Sequence, residues 1–304
     1  MNDQFYKELN RILLENQIKL HERLEYHTSL HIGGPADYLV TPRSIDEIIK
    51  VIDLCKQYSI PYYIIGNGSN LLVSDKGYRG LIIKFDEHFS NISISEDGLV
   101  TAQAGVMLSK LAHELARQEY SGFEFACGIP GTLGGAVTMN ASAYDGEMKQ
   151  CIIGAKVLSS QGKILDLTLD ELQLGYRTSI LQKENYILLE ATMKFAKGDK
   201  QQIISKMKEL NGRRRDKQPL EQYSAGSTFK RPQGYYAGKL IQDAGLSGYQ
   251  VGGAAVSEKH CGFVINKDGA TAKDFYQIIQ DIKAIVKEKF GVELEPEVKM
   301  LGEF

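Results

Sequence analysis

Apolar residues recur every three or four positions in several stretches of the chain, which is the spacing of one face of an α-helix. They predict helices over residues 3–16, 44–58, 108–118, 200–215 and 271–290. The fourth helix is expected to bury Ile203, Ile204, Met207 and Leu210. The fifth is the clearest, with apolar residues at Phe275, Ile278, Ile279, Ile282, Ile285 and Val286.

Two of these helices also have sequence signals at their ends. Ser44 is followed three residues later by Glu47, and Thr271 is followed by Asp274, so each pair predicts a capping box. Gly291 stands directly after the last helix, where glycine commonly ends a helix in a left-handed conformation.

Apolar runs and alternating patterns between the helices predict β-strands. The predicted strands lie at residues 62–65, 81–83, 92–104 (a hairpin turning at Asp97-Gly98), 151–159, 163–167 and 186–195. In the last of these, Ile187, Leu189, Ala191, Met193 and Phe195 are expected on one face. The fold class is therefore α+β, and a new unit is expected to begin near residue 200.

The length and the charge of the chain narrow the possible function classes. A chain of 304 residues is long enough for two or three domains. Its 36 basic and 38 acidic residues give a formal net charge of −2, which argues against non-specific binding of nucleic acid. The first residues form no signal peptide and no run reaches the ~20 apolar residues of a membrane span, so a cytoplasmic protein without a membrane partner is expected.

The cysteines and histidines do not predict a metal site. The four cysteines have spacings that suit neither zinc nor a disulfide framework, so they are expected to be reduced thiols. His27 and His31 are four residues apart, but Gly33-Gly34-Pro35 follows at once and argues against a shared helix face. No metal is therefore predicted.

The segment Gly66–Asn70, with the sequence Gly-Asn-Gly-Ser-Asn, follows a predicted strand. Its glycines would let backbone N–H groups approach a diphosphate, and the alternative is an ordinary tight turn. It is not a dinucleotide fingerprint of the Rossmann type, because Leu71 stands where a third glycine should open a helix, and no Gly-Lys-Ser/Thr follows for a P-loop.

A second glycine-rich segment, Gly128–Gly135, has four glycines in eight positions. Glycine is costly to order unless the backbone must pass close to something. The segment could mark a crossing of closely packed chains or the approach of a ligand. Two such segments in one chain favour a dinucleotide that lies between them.

Three further segments hold polar groups suited to catalysis, although each is weak evidence by itself. Arg177 could be a surface arginine, Ser227 a turn serine, and Glu297 a solvated carboxylate near the chain end. No nearby histidine completes a serine hydrolase triad. The run 213–215 of three arginines suits a helix end, or alternatively a contact to substrate phosphate.

In combination and in this order, the motifs resemble those of the UDP-N-acetylenolpyruvoylglucosamine reductase family. The matching segments are Thr28–Ala36, Gly66–Leu72, Ile129–Ala136, Gly175–Ser179 and Ala225–Lys230, and the resemblance covers about residues 28–300. The resemblance implies a vanillyl-alcohol-oxidase type (PCMH-type) FAD-binding fold in two subdomains and a C-terminal α+β substrate-binding domain. The implied boundaries are 1–27 for an N-terminal helical segment, 28–86 and 87–199 for the two subdomains, and 200–304 for the substrate domain.

The resemblance also implies the site residues. Arg177, Ser227 and Glu297 match the catalytic positions of the family. The matches to its FAD-binding loops are Gly66, Asn67, Gly68, Ser69, Asn70, Ile129, Pro130, Gly131, Thr132, Gly134, Gly135 and Ala136. The matches to positions near the substrate are Lys217, Lys230 and Asn266.

The implied reaction is reduction of UDP-N-acetylglucosamine enolpyruvate to UDP-N-acetylmuramate in peptidoglycan precursor synthesis, with non-covalent FAD and with NADPH as co-substrate. Hydride would reach the terminal vinyl carbon, and Ser227 would give a proton to the α-carbon. Arg177, with Glu297 in a protonated or hydrogen-bonded form, would stabilise the intervening enolate.

Some residues depart from the longer members of the family. Only 50 residues separate Arg177 from Ser227, which is typical of the shorter (type II) branch that lacks a substrate-covering insertion. Arg231 stands where the longer branch tends to have Asn, and Lys299 stands where Arg is common.

Two other readings stay open at this stage, an alcohol oxidase of the same fold and a non-enzymatic nucleotide-binding module. A monomer or weak homo-oligomer with a small-molecule UDP-sugar substrate, and with no nucleic-acid partner, is expected.

Overall fold

The computed structural model describes residues 3–304; residues 1 and 2, the first two of the predicted N-terminal segment, lie outside the described residues. The chain forms two compact units, each built from three stretches. The first unit contains residues 3–19, 39–67 and 82–214, and the second contains residues 20–38, 68–81 and 215–304. The predicted boundaries at residues 27, 86 and 199 divide the chain by function, whereas these two units are defined by their internal contacts. The functional boundaries therefore stay a prediction.

Eight α-helices lie within residues 3–304. They are α1 (Asp3–Ile12), α2 (Ile45–Gln57), α3 (Leu108–Arg117), α4 (Leu133–Thr138), α5 (Ile180–Lys183), α6 (Lys200–Lys217), α7 (Ala237–Asp243) and α8 (Ala272–Phe290). Short 3₁₀ turns lie at Glu15–Gln17, Leu24–His27, Glu87–Phe89, Glu124–Ala126 and Met148–Gln150.

The same part of the chain contains nineteen strands. They are β1 (Ile18–Leu20), β2 (Ala36–Val40), β3 (Tyr62–Ile65), β4 (Leu71–Val73), β5 (Tyr78–Lys84), β6 (Ile92–Ile94), β7 (Leu99–Gln103), β8 (Tyr120–Ser121), β9 (Ser142–Ala143), β10 (Gly146–Glu147), β11 (Ile152–Leu158), β12 (Ile164–Thr168), β13 (Ile187–Lys194), β14 (Ala196–Lys197), β15 (Tyr223–Ser224), β16 (Gln250–Val251), β17 (Ala254–Val256), β18 (Val264–Asn266) and β19 (Lys299–Leu301). One four-stranded sheet has the order β1-β2-β5-β3.

The first unit is built on a five-stranded antiparallel sheet of order β12-β11-β13-β7-β6. Both predicted hairpins, β6–β7 and β11–β12, are confirmed. In β13 the side chains of Leu189, Ala191 and Met193 are fully buried, as the alternation predicts, and Leu188 is buried as well. A register shift of β11 against β13 between Lys156 and Val157 accompanies this departure from strict alternation.

The second unit is built on a four-stranded antiparallel sheet of order β15-β18-β17-β16. Its core includes one face of α8, as the apolar spacing predicts; the buried residues of that face include Phe275, Ile278, Ile279, Ile282 and Val286. A separate pair, β4 and β19, runs parallel and aligns Leu71 with Lys299. This pairing brings the C-terminal segment beside the chain that follows the first glycine-rich loop.

The helix ends show where the sequence signals were right and where they were wrong. The Thr271–Asp274 capping box and the left-handed Gly291 are confirmed at α8. At α2 the Ser44 hydroxyl accepts from the Glu47 N–H at 3.1 Å, as predicted. The Glu47 carboxylate, however, accepts from the N–H of Arg43 at 2.7 Å, so the contact reaches one residue further back than a capping box requires.

Two helix lengths and one buried position were also wrong. The first helix ends at Ile12 rather than residue 16, and the chain continues into a 3₁₀ turn. Helix α6 continues to Lys217, two residues beyond the predicted end. Ile204 is 37% exposed, because Ile203, Met207 and Leu210 already define the buried face and Ile204 lies to one side of it.

Within residues 3–304, no helix is both long enough and apolar enough to cross a lipid bilayer.

Candidate active site

In the first unit the two glycine-rich loops touch each other. Asn67 Nδ2 donates to the Pro130 carbonyl at 2.7 Å. A Cβ at Gly66 would collide with the Thr132 hydroxyl and lie 3.1 Å from its Cβ, so only glycine allows this approach. The start of the first loop therefore rests directly on the second.

The second loop is also fixed from behind by the chain that leads into α3. Leu133 N–H donates to Val106 O at 2.7 Å, and Gly134 N–H donates to Ala104 O at 2.8 Å. A Cβ at Gly134 would lie 3.1 Å from the Ala104 Cβ. Close chain packing thus accounts for glycine at 134, whereas Pro130 and Gly135 are exposed.

Residues 68–70 of the first loop belong to the second unit. Gly68 has φ +61°, and its carbonyl accepts from Ser29 N–H at 3.3 Å. Asn70 donates through Nδ2 to the Glu297 carbonyl at 3.1 Å, and its own carbonyl accepts from Lys299 N–H at 3.0 Å. Strand β4 follows the loop, which agrees with the absence of a Rossmann fingerprint. Ser69 is half-buried.

Arg177 lies in a tight turn of the first unit. The backbones of Gly175 and Thr178 exchange two hydrogen bonds of 3.0 and 3.2 Å across the turn. Arg177 itself has φ +55°, a left-handed conformation that is uncommon for a non-glycine residue and costs ~1 kcal/mol or more. Its Nη1 donates to the Ser142 hydroxyl at 2.9 Å. The half-buried guanidinium is therefore held in one orientation.

The turn with Arg177 is anchored to the end of helix α4, which begins in the second glycine-rich loop. Thr138 O accepts from Ser179 Oγ at 2.7 Å and from Gln182 Nε2 at 2.8 Å. Asn140 Nδ2 donates to Gly175 O at 3.2 Å. These anchors were missed at the sequence level, because nothing local marks a side chain that binds a distant carbonyl.

Ser227 lies in the second unit, directly after Gly226, which has φ +75°. Its side chain is exposed, and among residues 3–304 its hydroxyl makes no hydrogen bond. The next residue, Thr228, is buried: its N–H donates to Gly262 O at 2.8 Å and its hydroxyl accepts from Val264 N–H at 3.0 Å. The serine is thus presented outward from a firmly held backbone.

The C-terminal segment lies alongside the segment of Ser227. Glu297 N–H donates to Thr228 O at 2.8 Å, and Lys230 N–H donates to Glu295 O at 2.9 Å. The two backbones also form an antiparallel bridge between Phe229 and Pro296. The structure therefore places the backbone of half-buried Glu297 beside Thr228, the residue after Ser227, although 70 residues separate Glu297 from Ser227 in sequence.

The three predicted substrate residues differ in their surroundings. Lys217 is exposed at the end of α6. Lys230 forms an ion pair with Glu295. Asn266 donates to Leu30 O at 3.0 Å and accepts from Ala270 N–H at 2.8 Å. The amide of Asn266 thus joins two loops, which is an alternative explanation for that residue.

His260 supports the segment of Ser227 indirectly. Its Nδ1 accepts from Gly262 N–H at 3.1 Å, and Gly262 O holds Thr228. Burial lowers the pKa of His260 below its ordinary value of 6.5. Protonation would remove the acceptor at Nδ1. Because the unfolded chain then binds more protons than the folded one, the unfolding free energy should be constant above about pH 7.5 and should fall as the pH drops below 6.5.

Urea titrations at pH 7.5 and 5.5 check this expectation. His260→Asn should lose less stability between the two pH values than the parent protein. His88→Asn, which changes an exposed histidine of the first unit, should behave like the parent. An equal pH effect in all three proteins would contradict the role of His260.

The cysteines and the remaining histidines show no arrangement for catalysis. All four cysteines are free and buried, and burial raises the pKa of Cys55 and of Cys151 to about 12. Such thiols stay protonated and are poor nucleophiles. His27 contacts Glu22 at 2.9 Å, and His31 stacks on Tyr223 with ring centroids 3.9 Å apart. Residues 3–304 contain no group of three His, Cys, Asp or Glu side chains suited to a metal ion.

Comparisons with known proteins agree on the identity of both parts of the chain. Residues 36–168 match the family model of an FAD binding domain, and residues 218–301 match that of the UDP-N-acetylenolpyruvoylglucosamine reductase, C-terminal domain. The UDP-N-acetylenolpyruvoylglucosamine reductase of Lachnoclostridium phytofermentans is 54% identical over 306 aligned positions, which cover 100% of this chain and 99% of that protein.

Solved structures give the same result for the fold. The UDP-N-acetylenolpyruvylglucosamine reductase of Thermus caldophilus matches with a TM-score of 0.79 at 34% identity, over 94% of this chain and 98% of that chain. The 4-ethylphenol oxidase of Gulosibacter chungangensis matches with a TM-score of 0.51 at 15% identity, over 64% of this chain and 42% of that one. The second similarity shows a shared fold alone. Together these matches confirm the predicted α+β class with a vanillyl-alcohol-oxidase type FAD-binding fold.

Proposed function

Because the chain belongs to the UDP-N-acetylenolpyruvoylglucosamine reductase family, we propose that Ser227 is its proton donor and that Arg177 and Glu297 stabilise the enolate. The enzyme reduces UDP-N-acetylglucosamine enolpyruvate to UDP-N-acetylmuramate with NADPH, a step in peptidoglycan precursor synthesis. The bound FAD supplies the hydride chemistry between the two substrates. The protein's own side chains must orient the enolpyruvyl group, hold its developing charge and deliver one proton.

The pairing of the Ser227 and Glu297 segments is the observation that supports this assignment best. An exposed serine hydroxyl on a rigid backbone suits proton delivery to a carbon. A serine hydroxyl is a weak acid, but an enolate α-carbon is a strong base, so the transfer is feasible. The neighbouring Glu297 can form a hydrogen bond to the substrate carboxylate where charge develops.

Arg177 suits the role of a fixed cation. Its guanidinium charge is permanent, its orientation is set by Ser142, and its turn is anchored to α4. A cation that is already in position needs little rearrangement as the enolate forms. Preorganisation of this kind lowers the activation barrier for formation of the enolate.

The residues of the two loops fit a dinucleotide cofactor. Gly66 has no side chain at the point where the first loop meets the second, and Asn67 fixes the two loops together. Gly66 to Asn70, Ile129 to Thr132 and Gly134 to Ala136 would hold FAD without a covalent bond. Lys217, Lys230 and Asn266 are proposed to lie near the UDP-sugar, with Asn266 the weakest of the three because its amide is already engaged.

A cytoplasmic location and a monomer or weak homo-oligomer complete the proposal. Four buried free thiols suit a reducing compartment. The near-neutral net charge of −2 gives no reason to expect a nucleic-acid partner.

Glu297 offers the sharpest test of the assignment through the two half-reactions, followed anaerobically by flavin absorbance. NADPH should bleach the yellow enzyme, and the enolpyruvyl substrate should restore the colour. Glu297→Ala should slow the second half-reaction roughly 10²–10³-fold, since one charge-stabilising group is lost, and should leave the first unchanged. Glu297→Gln should retain part of the rate, because the amide can still donate a hydrogen bond.

Glu293→Gln is the matched control, since Glu293 is an exposed carboxylate of the same segment that pairs with Lys287. It should leave both half-reactions unchanged. Equal slowing of both half-reactions by Glu297→Ala, with a lower melting temperature, would instead make Glu297 a structural residue. If oxygen restores the yellow colour of the reduced enzyme but the enolpyruvyl substrate does not, the protein is better explained as an oxidase of this fold.

A further inference from the structure

One arginine of the run 213–215 is unlike its neighbours. Arg213 is exposed and pairs with Glu209 at 2.5 Å, and Arg215 is exposed. Arg214 turns toward the second glycine-rich loop, is half-buried, and donates through Nη1 to the Gly128 carbonyl. Of the three, Arg214 alone therefore reaches the loop that is expected to meet a ligand.

The end of α6 presses closely against the start of this loop. A Cβ at Gly128 would lie 2.6 Å from Asn211 Oδ1 and 3.3 Å from Arg214 Cδ. Cys127 Sγ lies 3.5 Å from Asn211 Oδ1, and Tyr144 OH donates to Leu210 O at 2.8 Å. Asn211 and Arg214 thus both lie against the start of the loop: the neutral Asn211 accepts from the Cys127 thiol, and the cationic Arg214 donates to the Gly128 carbonyl.

The positive charge of Arg214 is not balanced within its unit. Among residues 3–304, no carboxylate lies within ion-pair distance of this guanidinium, and its buried Nε has no hydrogen-bond partner. Cys127 and Tyr144 lie near enough to interact with this charge, but burial raises the pKa of both, so both are neutral at pH 7. Buried or half-buried charges are normally paired, because removing them from water without a partner is costly.

We propose that Arg214 binds a phosphate oxygen of a nucleotide ligand at the start of the second glycine-rich loop, with the diphosphate of FAD as the favoured source. An anion at this point would satisfy Nε and balance the charge, and a guanidinium binds phosphate oxygens with two N–H groups at once. FAD is favoured because the first unit, which holds Arg214, also holds both Asn67 and the loop that Asn67 contacts. This assignment is independent of the roles proposed for Ser227 and Glu297.

The test measures release of FAD from the purified holoenzyme on dilution, by the recovery of free-flavin fluorescence, over a series of KCl concentrations. Arg214→Gln should raise the Kd for FAD at least tenfold and should weaken its dependence on salt, since one charge–charge contact is lost. Arg214→Lys should keep the salt dependence and part of the affinity. Arg213→Gln, on the same helix, should stay within twofold of the parent.

Asn211→Ala separates binding of phosphate from simple anchoring of the loop. Asn211 lies against the same end of the loop, where it accepts from the Cys127 thiol and carries no charge, so its loss should leave the salt dependence of the Kd unchanged. If Arg214→Gln and Asn211→Ala raise the Kd equally and neither alters the salt dependence, Arg214 only anchors the loop and the proposal is wrong.

The remaining arms identify the source of the phosphate. Flavin absorbance titrations of the FAD-saturated variants give the Kd values for NADPH and for the UDP-sugar. If Arg214→Gln leaves the Kd for FAD unchanged but raises the Kd for NADPH or for the UDP-sugar tenfold, the phosphate contact is supported and belongs to that ligand. If the Kd values of Arg214→Gln for FAD, NADPH and the UDP-sugar all stay within twofold of the parent values, the proposal is overturned.

Discussion

Replacing Ser227 with alanine is expected to slow reoxidation of the reduced enzyme by the enolpyruvyl substrate severely, while NADPH still bleaches the flavin at the parent rate. The hydroxyl is exposed on a segment held by Thr228, and alanine removes one oxygen without disturbing the backbone bonds to Gly262 and Glu297. A positioned general acid typically contributes 10²–10⁴-fold, so we expect a loss of roughly that size in the second half-reaction. Stopped-flow absorbance under anaerobic conditions measures both half-reactions.

One conservative variant and one distant variant test whether the effect is specific to the hydroxyl of Ser227. Ser227→Cys keeps an ionisable proton donor at the same position and should recover part of the rate. Ser247→Ala removes an exposed serine elsewhere in the same unit and should leave both half-reactions unchanged. If Ser227→Ala slowed the bleaching by NADPH as much as the recovery of colour, the serine would be structural.

The stereochemistry of deuterium incorporation from D₂O into the product provides a second measurement, which does not depend on rate. In D₂O the α-carbon should gain deuterium in the parent enzyme with one stereochemistry, because one face of the enolate meets Ser227. Residual turnover by Ser227→Ala should proceed by proton transfer from water and give a mixture at that carbon. Unchanged stereochemical purity in the variant would place the proton donor elsewhere.

Most of the regular structure could be predicted because it depends on local patterns. Helix α8 combines an apolar face, a capping box at Thr271 and a left-handed Gly291, so three independent signals agree on its ends. The hairpin β6–β7 turns at Asp97-Gly98, where glycine permits the positive φ of +79° that the turn requires. Patterns of this kind act within a few residues and are readable from the chain.

The errors arise where distant residues decide the outcome. Glu47 bypasses Ser44 and binds Arg43 N–H, and it also accepts from Gln17 Nε2 at 2.8 Å. Ile204 is exposed because Ile203, Met207 and Leu210 already define the buried face of α6 and Ile204 lies to one side of it. The list of apolar residues in a helix does not by itself show which of them become buried.

The candidate site likewise contains features that local sequence predicts poorly, because contacts between distant residues determine them. Ser227 and Glu297 were weak signals locally, and the resemblance to a family named them before any contact was visible. Their proximity depends on hydrogen bonds between segments 70 residues apart, which no local pattern encodes. Conversely, Arg214 was one of three similar arginines in sequence, and only its burial and its bond to Gly128 separate it from the others.

Replacing Arg177 with glutamine is expected to slow the second half-reaction roughly 10²–10³-fold with little change in bleaching by NADPH, since a preorganised charge that faces a developing anion contributes about that much. Arg177→Lys should recover only a small part of the rate. A lysine ammonium can match the charge, but it cannot reproduce the planar group that donates to Ser142 at 2.9 Å.

Ser142→Ala distinguishes orientation from charge at this position. It leaves the guanidinium in place but removes the hydroxyl that holds Nη1, so it should slow the second half-reaction less than Arg177→Gln does. Arg117→Gln is the control, because Arg117 is an exposed arginine of the same unit that pairs with Glu114.

The left-handed backbone at Arg177 predicts a further result. Glycine adopts a φ of +55° without strain, so Arg177→Gly should be at least as stable to urea as Arg177→Gln while being equally slow. A protein that tolerates a strained arginine where glycine would be easier retains it for its side chain. If Arg177→Gly and Arg177→Gln were both markedly less stable than the parent protein, the arginine would instead serve to hold its turn against Ser142, and the fixed cation would have to be sought elsewhere.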